Sequence, residues 1–335
     1  SPTCVLSFDD AVGELIGEEQ AGMRYMFTMM NNARLSVGLE GLAVAERSFQ
    51  QALAYANERR QGRAVGAPAG TSSLIVEHPD VRRMLSMMEA YIEAMRGLCY
   101  VTAEAIDLAE HHPDPDVREH QEGRVALLIP VTKAWCTDLG SEVTSLGIQI
   151  HGGMGYIEET GAAQHYRDAR IAAIYEGTNG IQAIDLVLRK LPLGGGAVVG
   201  ALFAEMSAVA DQLAGLEGCG AGHRSFVDAL GALQEATGWL ATHGPQSIDD
   251  ALAGATPYLR MFGLVCGAWV MARRLVAARS ALAGGASGDD ADAMERRAHS
   301  ALFYLEQLLP ATAGLLPAVT AGAGSLGLHA AAPAD

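Results

Sequence analysis

Apolar side chains recur at spacings of three and four residues along most of this 335-residue chain, a pattern typical of amphipathic α-helices. Two clusters of proline and glycine interrupt it, HHPDPD at residues 111–116 and LPLGGGAVVG at residues 191–200. Before the second cluster we predict four long helices, at about residues 23–60, 79–110, from the first cluster to 150, and 177–190. Further helical patterns lie near residues 200–217, 222–243, 256–284 and 289–318.

These patterns predict an all-α protein with a short β remnant at its N-terminus. Residues 1–22 alternate between apolar and polar side chains and carry turn residues, as at the end of a β structure that is followed by a loop. Residues 23–192 are predicted to form an antiparallel four-helix bundle, and residues 197–335 a second helical domain. The stretch before the fourth helix, up to Arg170, is predicted only as a short segment with a polar face.

Composition narrows the classes of partner. The chain carries 23 Lys and Arg against 39 Asp and Glu, so its formal charge of −16 repels nucleic acids and anionic lipid surfaces. We therefore expect no nucleic-acid partner. The longest uninterrupted apolar window, residues 261–272, is shorter than the about 20 residues that a transmembrane helix needs, so we expect no membrane span.

Five scattered cysteines form no CxxC pair and have no histidine at a metal-ligand spacing. Neither a disulfide framework nor a metal site is therefore predicted, and a reducing, cytoplasmic location is expected.

One acidic residue has an unusual setting. In RIAAIYEGTNGIQAIDLVLRKL, residues 170–191, Glu176 lies between an apolar run and a small polar cluster that begins a helical pattern. An acid at a helix N-terminus is stabilised by the helix dipole, and that alone could explain Glu176. A carboxylate that neighbouring apolar side chains shield from water can instead act as a general base. Ile174 and Tyr175 are expected to provide that shield, while Thr178 and Asn179 are candidates for N-capping.

Two further motifs have both a structural and a functional interpretation. HGGMGY, residues 151–156, follows a helical pattern and lacks the third glycine of a dinucleotide-binding fingerprint, so a helix C-cap and tight turn are predicted. Two successive glycines also favour close approach of the backbone to a ligand. NERRQGR, residues 57–63, closes the first helix with three arginines, which stabilise a helix C-terminus and also suit phosphate oxygens.

Three motifs together resemble one enzyme family. ARLSVGLEGLAVAERSFQQALAYANERRQGR (33–63), QIHGGMGY (149–156) and YEGTNGIQA (175–183) look like the C-terminal α-helical domain of the acyl-CoA dehydrogenases. The chain after residue 197 is similar to the additional helical domain of the larger members, which act on long-chain or unusual acyl-CoA substrates. The resemblance is strong up to about residue 190 and weaker beyond it.

The resemblance implies roles for individual residues. Glu176 is expected to be the base that removes the α-proton of an acyl-CoA thioester while the β-hydride passes to FAD. Tyr175, Gly177 and Arg34 are expected to lie at the substrate, and a surface ion pair is the alternative for Arg34. The residues expected to contact FAD are Arg59 and Gln61 at the pyrophosphate, Gln149, Gly152 and Gly153 toward the adenosine side of a flavin held by the neighbouring subunit, and Thr178 and Asn179.

Some positions depart from the family pattern. Gly180 replaces a glutamine that many members carry two residues after the threonine, so Asn179 is the candidate to supply that hydrogen bond. Gln61 stands where a threonine is common, and Gly62 and Arg63 replace a phenylalanine and a glycine.

The resemblance further implies fatty acid β-oxidation, an electron-transfer flavoprotein or similar acceptor, and a homodimer, with a dimer of dimers as the larger assembly. The family's N-terminal helical domain and most of its middle β domain are absent from these 335 residues. We therefore expect the chain by itself to be colourless and inactive. The alternative is a non-catalytic helical oligomerisation module derived from the same family.

Overall fold

A computed structural model describes residues 4–327 of the chain. The ends of the predicted β remnant and of the predicted second domain, residues 1–3 and 328–335, lie outside the described residues. The helices in chain order are α1 Gly22–Glu58, α2 Pro79–His111, α3 Pro115–His151, α4 Gly153–Tyr156, α5 Ala162–Ala172, α6 Asn179–Asp185, α7 Ala197–Ala214, α8 Gly220–His243, α9 Ile248–Ala253, α10 Ala255–Ala283, α11 Asp289–Phe303 and α12 Leu316–Thr320. Short 3-10 segments cover Ile75–Glu77, Glu158–Thr160, Leu193–Gly196 and Leu309–Gly314, and π turns cover Leu186–Lys190 and Tyr304–Leu308.

The all-α prediction is confirmed, but the β remnant is not shown. Residues 4–21 form no strand, and their apolar side chains are exposed, including Val5, Phe8 and Val12. A strand is held by hydrogen bonds to a neighbouring strand, and in the described chain nothing pairs with this segment. The one pairing of extended residues within 4–327 is an isolated antiparallel bridge between Arg60 and Leu74.

Helices α1 and α3 cross so closely that their backbones touch. A Cβ atom added to Gly41 would lie 2.7 Å from the Cys136 carbonyl oxygen, and one added to Gly140 would lie 2.9 Å from the Gly41 carbonyl oxygen. Backbone at that distance cannot move aside cheaply, so the crossing requires glycine on both helices. Helix α2 packs against both, which gives three long helices with the predicted order.

The fourth predicted helix differs from the prediction in two ways. Helical structure there begins at Asn179 instead of Gly177 and is short, with α6 continuing into the π turn over 186–190. The preceding segment, predicted as a polar-faced connection, forms helix α5 and packs against α1 and α3. Its buried side chains are alanines, which contribute little hydrophobic signal to the sequence.

The second half of the chain packs on the first through α10. Gly263 and Gly267 lie against the indole of Trp135 in α3, where a Cβ atom on Gly267 would approach the ring to 2.7 Å. Trp135 is 1% exposed, as expected for a core residue. One hydrophobic core runs continuously from α1–α3 into α7, α8 and α10. The division at residues 192–197 stays a prediction.

Within residues 4–327, three helical stretches are long and apolar enough to cross a membrane, by length and composition alone: Leu193–Ala214, Ala255–Ala283 and Asp289–Thr320. The argument from a 12-residue window was therefore too narrow, because a helix tolerates a few charged residues within an apolar span. In the fold, 78% of the apolar window within Ala255–Ala283 is buried against other helices. The hydrophobicity of α10 thus serves the protein core.

Candidate functional site

Glu176 lies in a strained turn between α5 and α6, which we call the Glu176 loop (residues 173–178). Its φ is 58°, in the left-handed region, and Gly177 follows with φ 79°. A left-handed conformation costs a residue with a Cβ atom about 1–2 kcal/mol, and such strain concentrates at functional sites. The loop is closed by the Asn179 amide, which donates to the Ala173 carbonyl oxygen at 3.1 Å.

Thr178 caps the helix that follows the loop. Its side-chain oxygen accepts a hydrogen bond from the Ile181 amide at 3.3 Å, so the predicted N-capping role belongs to Thr178. Thr178 itself is exposed, which leaves its hydroxyl accessible to a ligand. Contact between Thr178 and FAD stays a prediction.

A buried polar cluster lies beneath the Glu176 loop, which we call the Lys133 cluster: Lys133, Thr137 and Asp138 of α3 with Asn179 and Gln182 of α6. The Lys133 ammonium donates to the Gly177 carbonyl oxygen at 3.0 Å and to Asn179 Oδ1 at 2.9 Å. Asn179 Nδ2 in turn donates to Asp138 Oδ1 at 2.7 Å and to Thr137 Oγ1 at 2.9 Å. The Asn179 side chain is therefore fully engaged within the chain, and the role the structure shows for it is to anchor the loop.

The Lys133 cluster holds charged groups in a position that is shielded from water. Burial lowers the pKa of Lys133 to about 8, against the opposing attraction of Asp138, Glu176 and Glu40. Burial likewise raises the pKa of Asp138, although the hydrogen bond from Asn179 counteracts it. Desolvation thus disfavours the charged forms of both Lys133 and Asp138. Their hydrogen bonds and the opposite charges around them favour the charged forms.

Helix α1 contributes Arg34 and Glu40 to the other side of the loop. A Cβ atom on Gly177 would lie 3.8 Å from Arg34 Nη2, so Arg34 is close to the turn, and its Nε atom is buried without a hydrogen-bond partner in the described chain. The Tyr175 hydroxyl donates to Glu40 Oε2. Partial burial and the negative charges of Glu40 and Glu176 raise the pKa of Tyr175 to about 12, which keeps that hydroxyl protonated.

The two residues expected to shield Glu176 are themselves exposed. Ile174 is 49% exposed and Tyr175 is 39% exposed, whereas Glu176 is half-buried. That these two side chains exclude water from Glu176 stays a prediction.

The FAD candidates from two distant motifs meet at a second place. A cavity with a volume of about 340 Å³ is lined by Arg59, Gln61, Gln149 and Gly152. Gly152 ends α3 with φ 60° and ψ −138°, a conformation that glycine adopts more readily than residues with a Cβ atom. The predicted C-cap is therefore observed. Gly153 follows directly, and a Cβ atom on it would meet nothing within 4 Å.

The donors at this cavity fit an anionic ligand. Arg59 provides a guanidinium, Gln61 and Gln149 provide amides, and Gly152 lets the backbone come close. Such a set of donors suits a pyrophosphate. We call the cavity that these residues line the Arg59 cavity. The sequence-predicted residues thus divide into two groups, one at the Glu176 loop and one at the Arg59 cavity.

The sequence analysis missed several residues of these sites, including four that contact the loop or line the cavity. His78 and His151 line the Arg59 cavity; His78 Nε2 bonds the Gln61 carbonyl oxygen at 2.9 Å, and His151 stacks on a tyrosine of α1. Lys133 and Glu40 contact the Glu176 loop from α3 and α1. His151 lies inside the QIHGGMGY motif, so it carried a readable signal.

Comparison with protein families matches two parts of the chain. Residues 20–191 match a family model described as "Acyl-CoA dehydrogenase, C-terminal domain". Residues 202–327 match one described as "Acetyl-CoA dehydrogenase C-terminal like".

Two relatives match nearly the whole chain. It is 42% identical to 3-methylmercaptopropionyl-CoA dehydrogenase of Ruegeria pomeroyi, with 92% of this chain and 52% of that protein covered. It is 32% identical to a butyryl-CoA dehydrogenase of Syntrophomonas wolfei, with 95% and 54% covered. The chain therefore spans about half the length of these relatives.

Solved structures with the same fold agree. Caenorhabditis elegans ACDH-11, determined in complex with C11-CoA, superposes with a TM-score of 0.66 at 20% identity, covering 88% of this chain and 46% of that one. An acyl-CoA dehydrogenase from Bacillus anthracis complexed with FAD gives a TM-score of 0.66 at 18% identity, covering 90% and 49%. At these identities the likeness shows the fold.

Proposed function

This chain belongs to the acyl-CoA dehydrogenase family, and on that premise we propose that it supplies the catalytic base and part of the flavin site of an acyl-CoA dehydrogenase. The observation that carries the proposal is the left-handed Glu176, which is held over a buried, charged cluster at the end of the bundle. A helix N-terminal acid needs neither feature, because the dipole effect acts in an ordinary backbone conformation.

We propose Glu176 as the residue that takes the α-proton of an acyl-CoA thioester. A carbon acid next to a thioester requires a base that is fixed close to the reacting carbon, since proton transfer to a positioned group contributes about 10²–10⁴-fold to rate. The anchored turn provides the fixed position. Arg34, beside Gly177, places a cation on the side of the turn where negative charge would develop on the substrate.

The Arg59 cavity is the proposed contact for FAD, with Arg59 at the pyrophosphate and Gln149 and Gly152 beside it. FAD supplies the acceptor for the β-hydride when it is bound. Within the chain, Ile174 and Tyr175 present apolar surface next to the base, and we propose that covering this surface is what dries the site.

The proposed substrate class is an acyl-CoA thioester, supported by the relatives' names and by the C11-CoA complex of a structural neighbour. An electron-transfer flavoprotein or similar acceptor and a homodimer also belong to the proposal. Because the outer surface of the Glu176 loop is uncovered, we expect the chain by itself to bind FAD weakly and to be colourless.

The test joins the chain to the part of the Ruegeria pomeroyi relative that it does not cover, and measures acyl-CoA-dependent reduction of an electron acceptor. Glu176→Gln should lower kcat about 100-fold or more and leave bound flavin unchanged, since the variant loses only the base. Arg59→Ala should lose flavin instead. Arg167→Ala is the matched control, because Arg167 pairs with Glu158 on the surface.

Full activity of the Glu176→Gln variant would contradict the proposed role of the carboxylate. Flavin-free, inactive protein in every version would favour the alternative, a helical oligomerisation module that keeps the family fold without turnover.

A further inference from the structure

We propose that Lys133 is the positioning residue for Glu176: its buried ammonium holds the left-handed turn in place from beneath. The inference rests on the proposed function only in that Glu176 is the base. Its structural part, that Lys133 fixes the Glu176 loop, concerns the chain by itself and can be tested without turnover.

Lys133 contacts the C-terminal end of the Glu176 loop at two points. Lys133 is completely buried, and its two hydrogen bonds reach the Gly177 carbonyl oxygen and the Asn179 side chain, which flank Thr178. Asn179 is itself held by Asp138, by Thr137 and by a carbonyl oxygen of α3. The loop is thereby tied to a long, rigid helix.

Hydrogen bonding to the Gly177 carbonyl oxygen alone does not explain a lysine at this position. That oxygen also accepts from Gln182 Nε2 at 3.2 Å, so it would keep a partner without Lys133. Asn179 Oδ1 depends more directly on Lys133, because the Thr137 hydroxyl donates to the Lys133 carbonyl oxygen at 2.9 Å. A buried charge is costly to retain, so a lysine is an unusual choice for a position that serves packing alone.

The charges around Lys133 give it a second link to the base. Asp138 from its own helix, Glu40 from α1 and Glu176 from the loop attract the ammonium, whereas Arg34 from α1 repels it. The carboxylate of Glu176 therefore helps to keep the Lys133 ammonium charged.

Lysine is rare enough here to make the test direct. The sequence contains only two lysines, Lys133 and Lys190, among 23 Lys and Arg. Lys190 is paired with Asp185 and is partly exposed. Protein labelled with ¹⁵N or ¹³C in lysine side chains should therefore give two lysine signals, and Lys190→Met assigns them by removing one.

The first experiment measures amide hydrogen exchange in the 335-residue chain. In Lys133→Met the amides of Tyr175 and Asn179, which close the loop, should exchange about tenfold faster or more, with α8 unchanged. Lys190→Met is the matched control and should leave these amides unchanged. Unaltered exchange in Lys133→Met would overturn the proposal.

The second experiment needs no variant at Lys133. The side-chain signal of Lys133 should titrate with a pKa near 8, and Glu176→Gln should lower that pKa further because an attractive charge is removed. The Lys190 signal should not respond. A Lys133 signal that ignores Glu176→Gln would overturn the coupling between them.

The joined protein described above separates this inference from the proposed function. There, Lys133→Met should lower kcat about 10- to 100-fold with KM little changed, as expected when a base is misplaced by a fraction of an ångström. Loss of loop protection with unchanged kcat would refute the role in catalysis and leave the anchor. Activity that persists in Glu176→Gln would instead refute the assignment of the base.

Discussion

Residues 20–191 and 202–327 both bury polar side chains, but they arrange them differently. In the second region Tyr304 donates to a backbone carbonyl oxygen at 2.9 Å and Tyr258 pairs with Thr237 at 2.7 Å. Each is a separate pair inside an apolar core, and burial raises the pKa of both tyrosines so that they stay neutral. The first region has such a pair too, Thr102 with Thr132 at 2.9 Å, but it also contains the Lys133 cluster, whose polar groups converge on one loop and include a cation.

The difference indicates that the buried polar groups of the two regions have different roles. Isolated, satisfied pairs serve packing, whereas a convergent cluster that keeps a desolvated charge is where pKa values are perturbed for a purpose. The second region contributes indirectly, because α10 lies against Trp135, two residues from Lys133 on the same helix. We therefore regard α10 as support for the helix that carries the Lys133 cluster.

The largest expected effect comes from breaking that support. Gly263→Ala adds a Cβ atom well inside contact distance of the Trp135 side chain, and overpacking of this kind should cost about 2–3 kcal/mol of unfolding free energy. Gly200→Ala is the matched control, since nothing lies within 4 Å of the added atom in α7; it should stabilise by about 0.5–1 kcal/mol. Denaturant titration of both variants measures the difference.

If Gly263→Ala were as stable as Gly200→Ala, α10 would not be supporting α3. If it is destabilised as expected, hydrogen exchange in the Glu176 loop should also rise, because Lys133 is anchored on the same helix.

Much of the fold could be read from the sequence because its determinants are local. The limits of α2 at Pro79 and α3 at His151 follow from a proline, a glycine and the 3.6-residue period, and both were predicted to within one residue. The predicted β remnant is not observed, for the opposite reason. Alternation of apolar and polar residues does not form a strand unless another strand pairs with it. Helix α5 was missed because small alanines carry its buried face.

Only the site residues that lie in recognisable sequence motifs were predicted. Glu176, Arg59 and Gly152 could be identified from the family resemblance. Lys133 could not, because its partners in the loop and in α6 lie 44 and 46 residues along the chain, a relation that spacing does not reveal. The strain at Glu176 was equally invisible, since it arises from how α5 and α6 are connected.

A smaller effect should distinguish the two regions through the pH dependence of the free energy of unfolding. Folding lowers the pKa of Lys133 to about 8, so between that pH and the ordinary lysine value the unfolded chain binds more protons than the folded one. The free energy of unfolding contributed by Lys133 therefore rises with pH in this window, by about 2 kcal/mol between about pH 7 and about pH 9.5.

The measurement compares wild type with Lys133→Met in denaturant at about pH 7 and about pH 9.5, where the gap between them should shift in favour of wild type. The buried tyrosines of the second region titrate higher and are common to both proteins, so they cancel. A gap that stays constant with pH would mean that Lys133 is not desolvated as the structure indicates.

The smallest expected effect isolates the strain in the loop. Glu176→Gly removes the Cβ atom that opposes a φ of 58° and should stabilise the chain by about 0.5–1 kcal/mol, even though glycine makes the unfolded chain more flexible. Glu176→Gln keeps the Cβ atom and the strain and removes the attraction to Lys133, so it should be no more stable than wild type. Thermal unfolding of the three proteins makes the comparison, and a Glu176→Gly variant less stable than wild type would show that side-chain contacts of Glu176 outweigh the strain. A gain confined to Glu176→Gly would mean that the chain keeps an unfavourable backbone conformation at the one position where the proposed chemistry needs a carboxylate.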